Sequence, residues 1–214
     1  MLPLGRLHLI TDTRPGRNPL AVVRAAVAAA RAAAATGELV VQVRGEDSAT
    51  DREAYDLATR VVAECAGTDV TCLVNDRLHI ALAVDGAGGH VGADDLPVEA
   101  ARRVLGPSAI LGATARTAEA GRAAVDAGAS YLGVGPCYVT STKDGLPGPI
   151  GPAGIAAVAE SVTVPVIAIG GVTAARVPEL RSAGAYGVAV VAALSDAADP
   201  GRVTADLLGA LGCW

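Results

Sequence analysis

Short runs of β-branched and aliphatic residues alternate with Ala- and Arg-rich stretches from one end of the chain to the other. The runs read as strands at Leu7–Thr11, Leu39–Arg44, Val70–Asn75, His90–Gly92, Ala109–Thr114, Tyr131–Gly135, Val166–Gly170 and Gly187–Val191. The stretches between them read as helices at Pro19–Ala35, Asp51–Ala66, Arg77–Val84, Pro97–Leu105, Thr117–Ala127, Pro152–Glu160, Ala174–Ala183 and Pro200–Leu211. Asp51-Arg52-Glu53 places acids in a first helical turn, and Gly37, Gly128 and Gly184 each follow a helix, as stop signals do. Strands in strict alternation with helices predict a parallel sheet with right-handed crossovers. Eight such units favour closure into a barrel over an open doubly wound sheet. The Rossmann alternative lacks its fingerprint, because the first strand runs into Leu9-Ile10-Thr11-Asp12 with no G-x-G-x-x-G after it. No linker or low-complexity segment divides the chain. The expectation is an α/β fold, one (β/α)8 TIM-barrel domain over residues 1–214.

Composition narrows the class of protein. Hydrophobic residues make up 51% of the chain and aromatics only 2%, with no phenylalanine, so Ala, Val, Leu and Ile must build the core. That apolar fraction excludes a disordered chain. A net charge of −5 and the dearth of stacking rings argue against nucleic-acid binding. Val22–Ala35, the most apolar helix candidate, carries Arg24 and Arg31 and is too short to span a bilayer, and no signal peptide is visible. The four cysteines form no C-x-x-C pair and no zinc spacing. A cytoplasmic, reduced protein acting on small molecules is the plain expectation. Cys137 sits in a chemically interesting loop, but a small apolar packing role is the better reading of a lone cysteine there.

In a barrel, functional groups gather just beyond the C-terminal strand ends. The first six strand ends carry polar side chains: Gln42 and Arg44, then Asn75, Asp76 and Arg77, then His90, Asp94 and Asp95, then Thr114 and Arg116, and the loop from Gly135 to Asp144. The last two offer small residues and backbone, Gly170-Gly171 and Val190 to Ala193. Glycine turns backed by a helix N-terminus bind phosphate through N–H groups, although a tight turn alone also explains Gly170-Gly171. Asp76 and Asp95 can converge on a hard cation such as Mg²⁺, which takes one or two carboxylates and completes its shell with phosphate oxygens and water. Asp94 competes for that role, and both Asp76 and Asp95 have a helix N-cap as their alternative. Lys143, the one lysine among 17 basic residues, lies in Thr140-Ser141-Thr142-Lys143, suited to a pyrophosphate or merely solvated. Arg44 is a second anion clamp unless it pairs with Glu46 or Asp47. His8, His79 and His90 read as structural, and no Ser/His/Asp or Cys/His constellation assembles.

These segments, in this order, resemble the thiamine phosphate synthases: Gln42-Val43-Arg44, Val74-Asn75-Asp76-Arg77, His90-Val91-Gly92-Ala93-Asp94-Asp95, Gly135-Pro136-Cys137-Tyr138 with Thr140-Ser141-Thr142-Lys143, and Ile169-Gly170-Gly171-Val172. The resemblance covers nearly the whole chain and extends to the thiazole tautomerases of the same superfamily. It implies a transferase of thiamine biosynthesis that couples hydroxymethylpyrimidine diphosphate with a thiazole phosphate. The diphosphate leaves first, and the thiazole nitrogen captures the resulting pyrimidine-methyl cation. It also implies Mg²⁺ on Asp76 and Asp95, and diphosphate on Arg44, Asn75, Thr114 and Lys143. Gln42 would orient the pyrimidine, Thr140 and Thr142 would line the thiazole side, and Gly171 with the backbone near Val191 and Ala192 would hold the thiazole phosphate. Phosphorylated small molecules are then the partners, and a homo-oligomer is left open.

Four departures stand against the family pattern. Glu46 replaces a lysine, Arg116 a histidine, Val139 a proline and Ala192 a serine. Arg116 is a candidate to restore the positive charge lost at position 46. The alternatives are a metal-independent thiazole tautomerase, which the missing lysine favours and the retained Asp76, Asp95 and Lys143 oppose, and a non-catalytic thiazole-phosphate binder.

Overall fold

The computed structural model describes residues 4–140 and 147–213. Eight strands, β1 (Leu7–Ile10), β2 (Leu39–Val43), β3 (Thr71–Asn75), β4 (Gly88–Val91), β5 (Ile110–Ala115), β6 (Tyr131–Val134), β7 (Val166–Ile169) and β8 (Gly187–Val190), pair in parallel and in sequence order. Pairing of Leu7 with Val188 closes β1 on β8, so the expected (β/α)8 barrel is formed. Around it lie α1 (Pro19–Ala32), α2 (Asp51–Cys65), α3 (Leu78–Ala83), α4 (Val98–Leu105), α5 (Ala118–Asp126), α6 (Gly151–Ala159), α7 (Val177–Ser182), α8 (Ala192–Ser195) and α9 (Pro200–Ala210). No helix among the described residues is long and apolar enough to cross a membrane.

Local chemistry explains the element ends. Asn18 caps α1 by accepting the Ala21 N–H at 3.1 Å, with Pro19 just inside, where its missing N–H is harmless. Thr50 and Glu53 form a reciprocal capping box on α2. On α1, Leu20, Val23, Ala26, Val27 and Ala30 make one buried stripe at helical spacing. Strand residues of one parity pack outward against such stripes, and this aliphatic shell is the main core. Residues of the other parity, Ile10, Val40, Leu73, Tyr131, Ile167 and Ala189, plug the barrel interior. An aromatic-poor core therefore suffices.

Helix α1 stops at Ala32 rather than Ala35, and three further elements differ from the sequence expectation. Strand β4 begins at Gly88, not His90, because it passes so close to β5 that a Cβ on Gly88 would lie 1.8 Å from the Ile110 carbonyl oxygen. The stretch Ala174–Ala183 splits into a 3₁₀ turn at Ala174–Arg176 followed by α7. Pro178 has no N–H to bond the Ala174 carbonyl, so the helical ladder cannot run through. Helix α8, only four residues long, follows β8 directly and is too short to leave a periodic signal.

Candidate active site at the barrel mouth

A cavity of about 740 Å³ opens at the C-terminal ends of the strands. It is lined by Gln42, Arg44, Asn75, Asp76, Asp95, Thr114, Arg116, Thr140, Gly171, Val191 and Ala192, so these sequence-predicted residues share one mouth. Thr142 and Lys143 lie outside the described residues.

The β2–β5 side of the mouth carries charge. Arg44 is half-buried and, among the described residues, forms no ion pair with Glu46 or Asp47. Its N–H is instead bonded by Thr11 Oγ1 at 2.7 Å, which fixes the backbone from which the guanidinium projects. Asp76 sits just past β3 at φ +58°, a left-handed conformation that Asp tolerates better than most residues. Its N–H donates to the His90 carbonyl at 2.9 Å, tying the β3 and β4 ends together. The Asp95 carboxylate accepts the Gly92 N–H at 2.7 Å and is folded back over its own turn. Arg77 and Pro97, not the aspartates, occupy the cap positions of α3 and α4. Asp94 also lines the mouth, so the choice between the two stays open.

Among the described lining residues two guanidiniums, Arg44 and Arg116, face four carboxylates, Asp47, Asp76, Asp94 and Asp95. Carboxylates outnumber guanidiniums among these described lining residues. Among the described residues no group of three or more His, Cys, Asp or Glu side chains gathers as a protein cage for a metal. Two all-oxygen carboxylates on adjacent strand ends do fit Mg²⁺, which leaves most of its shell to phosphate oxygens and water.

The β6–β8 side is built from backbone. Gly170 and Gly171 have φ +93° and +65°, and the loop after β6 presses on both. A Cβ on Gly170 would meet Pro136 Cα at 2.6 Å, and one on Gly171 would meet the Val139 carbonyl oxygen at 2.7 Å. Cys137 and Tyr138 donate N–H bonds to the Ile169 and Gly170 carbonyls, at 2.8 and 3.0 Å. The Gly171 carbonyl is capped by Arg176, whose guanidinium also stacks 4.1 Å from the Tyr138 ring centre. Opposite, α8 opens at Ala192 with its first N–H groups beyond the reach of helical bonding. Cys137 is buried, and burial pushes its thiol up to about 11, which supports packing over reactivity.

The departures from the family pattern are placed as follows. Glu46 is exposed and outside the cavity lining, so it adds no carboxylate to the mouth. Arg116 lines the mouth and donates to the Gly148 carbonyl at 2.8 Å, holding the far end of the β6–α6 connection. Val139 is 85% exposed and is not among the residues lining the cavity. Ala192 contributes the first turn of α8.

The floor of the cavity holds groups that the strand-end reading passed over. Tyr131, the bulkiest interior side chain, lines it together with His8 and His90. Burial pushes His8 down to about 3 and His90 down to about 4, so both imidazoles are neutral, and it raises Tyr131. His90, structural in the sequence reading, also reaches the cavity. The signal available in the sequence was parity, since His90, Thr114 and Tyr131 share the inward phase of their strands with Gly112 and Gly133. His79 lies outside the cavity on α3, beside Asp51 at 3.2 Å.

Fold and mouth together define a barrel enzyme whose polar end suits small phosphorylated molecules. The family model described as thiamine monophosphate synthase matches residues 7–194, and the chain belongs to that family of thiamine-biosynthetic transferases. A thiamine-phosphate synthase of Salinispora arenicola is 68% identical over 213 residues, covering 100% of both chains. One from Salinispora tropica is 68% identical with 99% of each covered. Among solved structures, thiamine phosphate pyrophosphorylase from Pyrococcus furiosus superposes with a TM-score of 0.84 at 32% identity, covering 97% of this chain and 95% of that one.

Proposed function

We propose that this chain joins hydroxymethylpyrimidine diphosphate to a thiazole phosphate and releases pyrophosphate in a Mg²⁺-dependent reaction. The observation that carries this reading is the division of one mouth into a carboxylate–guanidinium side and a glycine-backbone side, one for each phosphorylated substrate. Asp76 and Asp95 would hold Mg²⁺, whose chemistry there is to neutralise charge on the departing diphosphate. Arg44 and Asn75 grip the diphosphate oxygens, with Thr114 beside them and Lys143 in the same role. Arg116 adds a second guanidinium at the rim. Gln42 orients the pyrimidine over the floor. Thr140 and Thr142 line the thiazole side, and Gly171 with the backbone at Val191 and Ala192 receives the thiazole phosphate.

The chemistry needs charge stabilisation rather than a base. The bond from the pyrimidine methylene carbon to the diphosphate oxygen breaks, and its electron pair leaves with pyrophosphate. The thiazole nitrogen lone pair then forms the new C–N bond, with no proton to remove. Burial raises Tyr131, so the floor presents a protonated phenol rather than a phenolate to the cation.

A thiazole tautomerase would need a proton shuttle, and relatives at 68% identity carry the synthase name. The test is incubation with both phosphates and Mg²⁺ while pyrophosphate is followed. Release by the wild type, lost in Asp76→Ala, supports the reading. No release, or equal release by both, overturns it.

A further inference from the structure

Four side chains run in a line across the barrel from β2 to β5. Gln42 Nε2 donates to Tyr131 Oη at 3.4 Å, His90 Nδ1 lies 3.0 Å from the same oxygen, and His90 Nε2 lies 3.0 Å from Thr114 Oγ1. The first three are buried, and Thr114 opens onto the cavity. The fold makes room for this line. Gly112 stands in register between His90 on one side and Tyr131 on the other. A Cβ there would lie 2.4 Å from both His90 Nδ1 and Tyr131 Oη, and one on Gly133 would lie 3.0 Å from His90 Cε1. Two adjacent strands thus omit side chains where the imidazole and phenol meet.

Hydrogen-bond satisfaction gives the line a direction. Tyr131 has a single O–H, and its oxygen already accepts from Gln42. Buried as it is, that O–H must donate, and His90 Nδ1 is the acceptor in reach. With Nδ1 accepting, a neutral imidazole carries its hydrogen on Nε2 and donates to Thr114 Oγ1. Thr114, already accepting from below, keeps its own O–H for the cavity. A hydroxyl that is otherwise free to rotate is thereby set as a donor before any anion arrives.

We propose that His90 is a positioning residue: held as the Nε2–H tautomer by Tyr131, it turns Thr114 into a fixed hydrogen-bond donor toward an anionic oxygen of the bound phosphorylated substrate. The inference rests on the assignment of Thr114 to the diphosphate side of the mouth. Removing the donor from an ionised partner costs about tenfold in affinity, and losing its orientation costs up to that amount.

Two measurements test this separately from the overall reaction. Long-range ¹⁵N–¹H correlation spectra of the wild-type chain, which has only three histidines, read the tautomer directly, with His90→Gln identifying the signal. A protonated Nε2 and bare Nδ1 at His90 are expected, and a protonated Nδ1 overturns the proposal. Calorimetric titration of inorganic pyrophosphate with Mg²⁺ is then run on Thr114→Val, His90→Phe and the double variant, each checked for native circular dichroism. The expected result is about a tenfold loss in Thr114→Val, a smaller or equal loss in His90→Phe, and a double variant no weaker than Thr114→Val alone. Losses that multiply in the double variant would show that His90 acts other than through Thr114 and overturn it. If His90→Phe fails to fold, Tyr131→Phe serves, since it removes the O–H that selects the tautomer; an unchanged Nε2–H population there counts against the proposal. A chain that gives these results yet releases no pyrophosphate from the two substrates refutes the proposed reaction and not the positioning role.

Discussion

The two sides of the barrel mouth are built from different parts of the chain. From β2 to β5 the mouth is made of side chains, with Arg44, Asn75, Asp76, Asp95 and Thr114 projecting from strand ends that the sheet register holds together. From β6 to β8 it is made of backbone, with glycines at positive φ packed under the loop after β6 and a short helix opening at Ala192. One side is tuned by charge and the other by the absence of a Cβ. Substitutions should therefore fail for different reasons on the two sides, and that contrast can be attacked directly.

The largest effect is expected on the charged side. Asp76→Asn keeps a residue that tolerates φ +58° while deleting the carboxylate. Pyrophosphate release should fall roughly 100-fold, with the melting temperature nearly unchanged. A large stability loss with normal specific activity would show that Asp76 belongs to the scaffold. On the backbone side the pattern should invert. Gly171→Ala adds no charge, but its Cβ would lie 2.7 Å from the Val139 carbonyl oxygen and 2.9 Å from Tyr138 Cβ, at a φ that L residues avoid. Denaturant titration should show a loss of about 1–3 kcal/mol, together with a raised KM for the thiazole phosphate and a smaller change for the diphosphate substrate.

The floor beneath both sides responds to acid. Burial holds the folded-state pKa of His8 near 3, so on acidification the unfolded chain takes up a proton that the folded chain does not. Stability from this group is complete above the unfolded histidine pKa of about 6.5 and is lost as pH falls from there toward 3, by up to about 1.4 kcal/mol per pH unit. Asp12, held near 2 chiefly by its hydrogen bond to the Arg14 guanidinium, adds a second loss below about pH 4. Urea midpoints between pH 7 and 5 should fall in the wild type and fall less steeply in a folded His8→Gln variant, the remaining slope coming from His90, held near 4 by burial. The smallest effect is expected at Glu46. It is exposed and outside the lining, so Glu46→Lys should change the KM for the diphosphate by less than about threefold. A tenfold gain would mean that position 46 reaches the substrate after all.

The same contrast explains what could be read from the chain in advance. Strands announced themselves because parallel strands are buried on both faces and run as Val, Ile and Leu. The charged side was legible because each polar residue follows directly on such a run, as Arg44 follows Val43 and Asp76 follows Asn75. What escaped depends on partners distant in sequence. Spacing could not choose between Asp94 and Asp95, and both line the mouth. Nor could it tell that Glu46 turns out of the mouth. His90 looked like a satisfied interior histidine, and it is one, but its partners, Tyr131 and Thr114, are 41 and 24 residues away. Helix α8 was missed because four residues carry no period.

The central claim is that the acidic side of the mouth accepts a diphosphate only together with a divalent cation. Titration of inorganic pyrophosphate into the protein, with and without Mg²⁺, tests it most directly. The account predicts saturable binding of one pyrophosphate per chain that requires Mg²⁺, is abolished by Asp76→Asn and survives in folded Gly171→Ala. Equal binding with and without Mg²⁺, unaffected by Asp76→Asn, would contradict it.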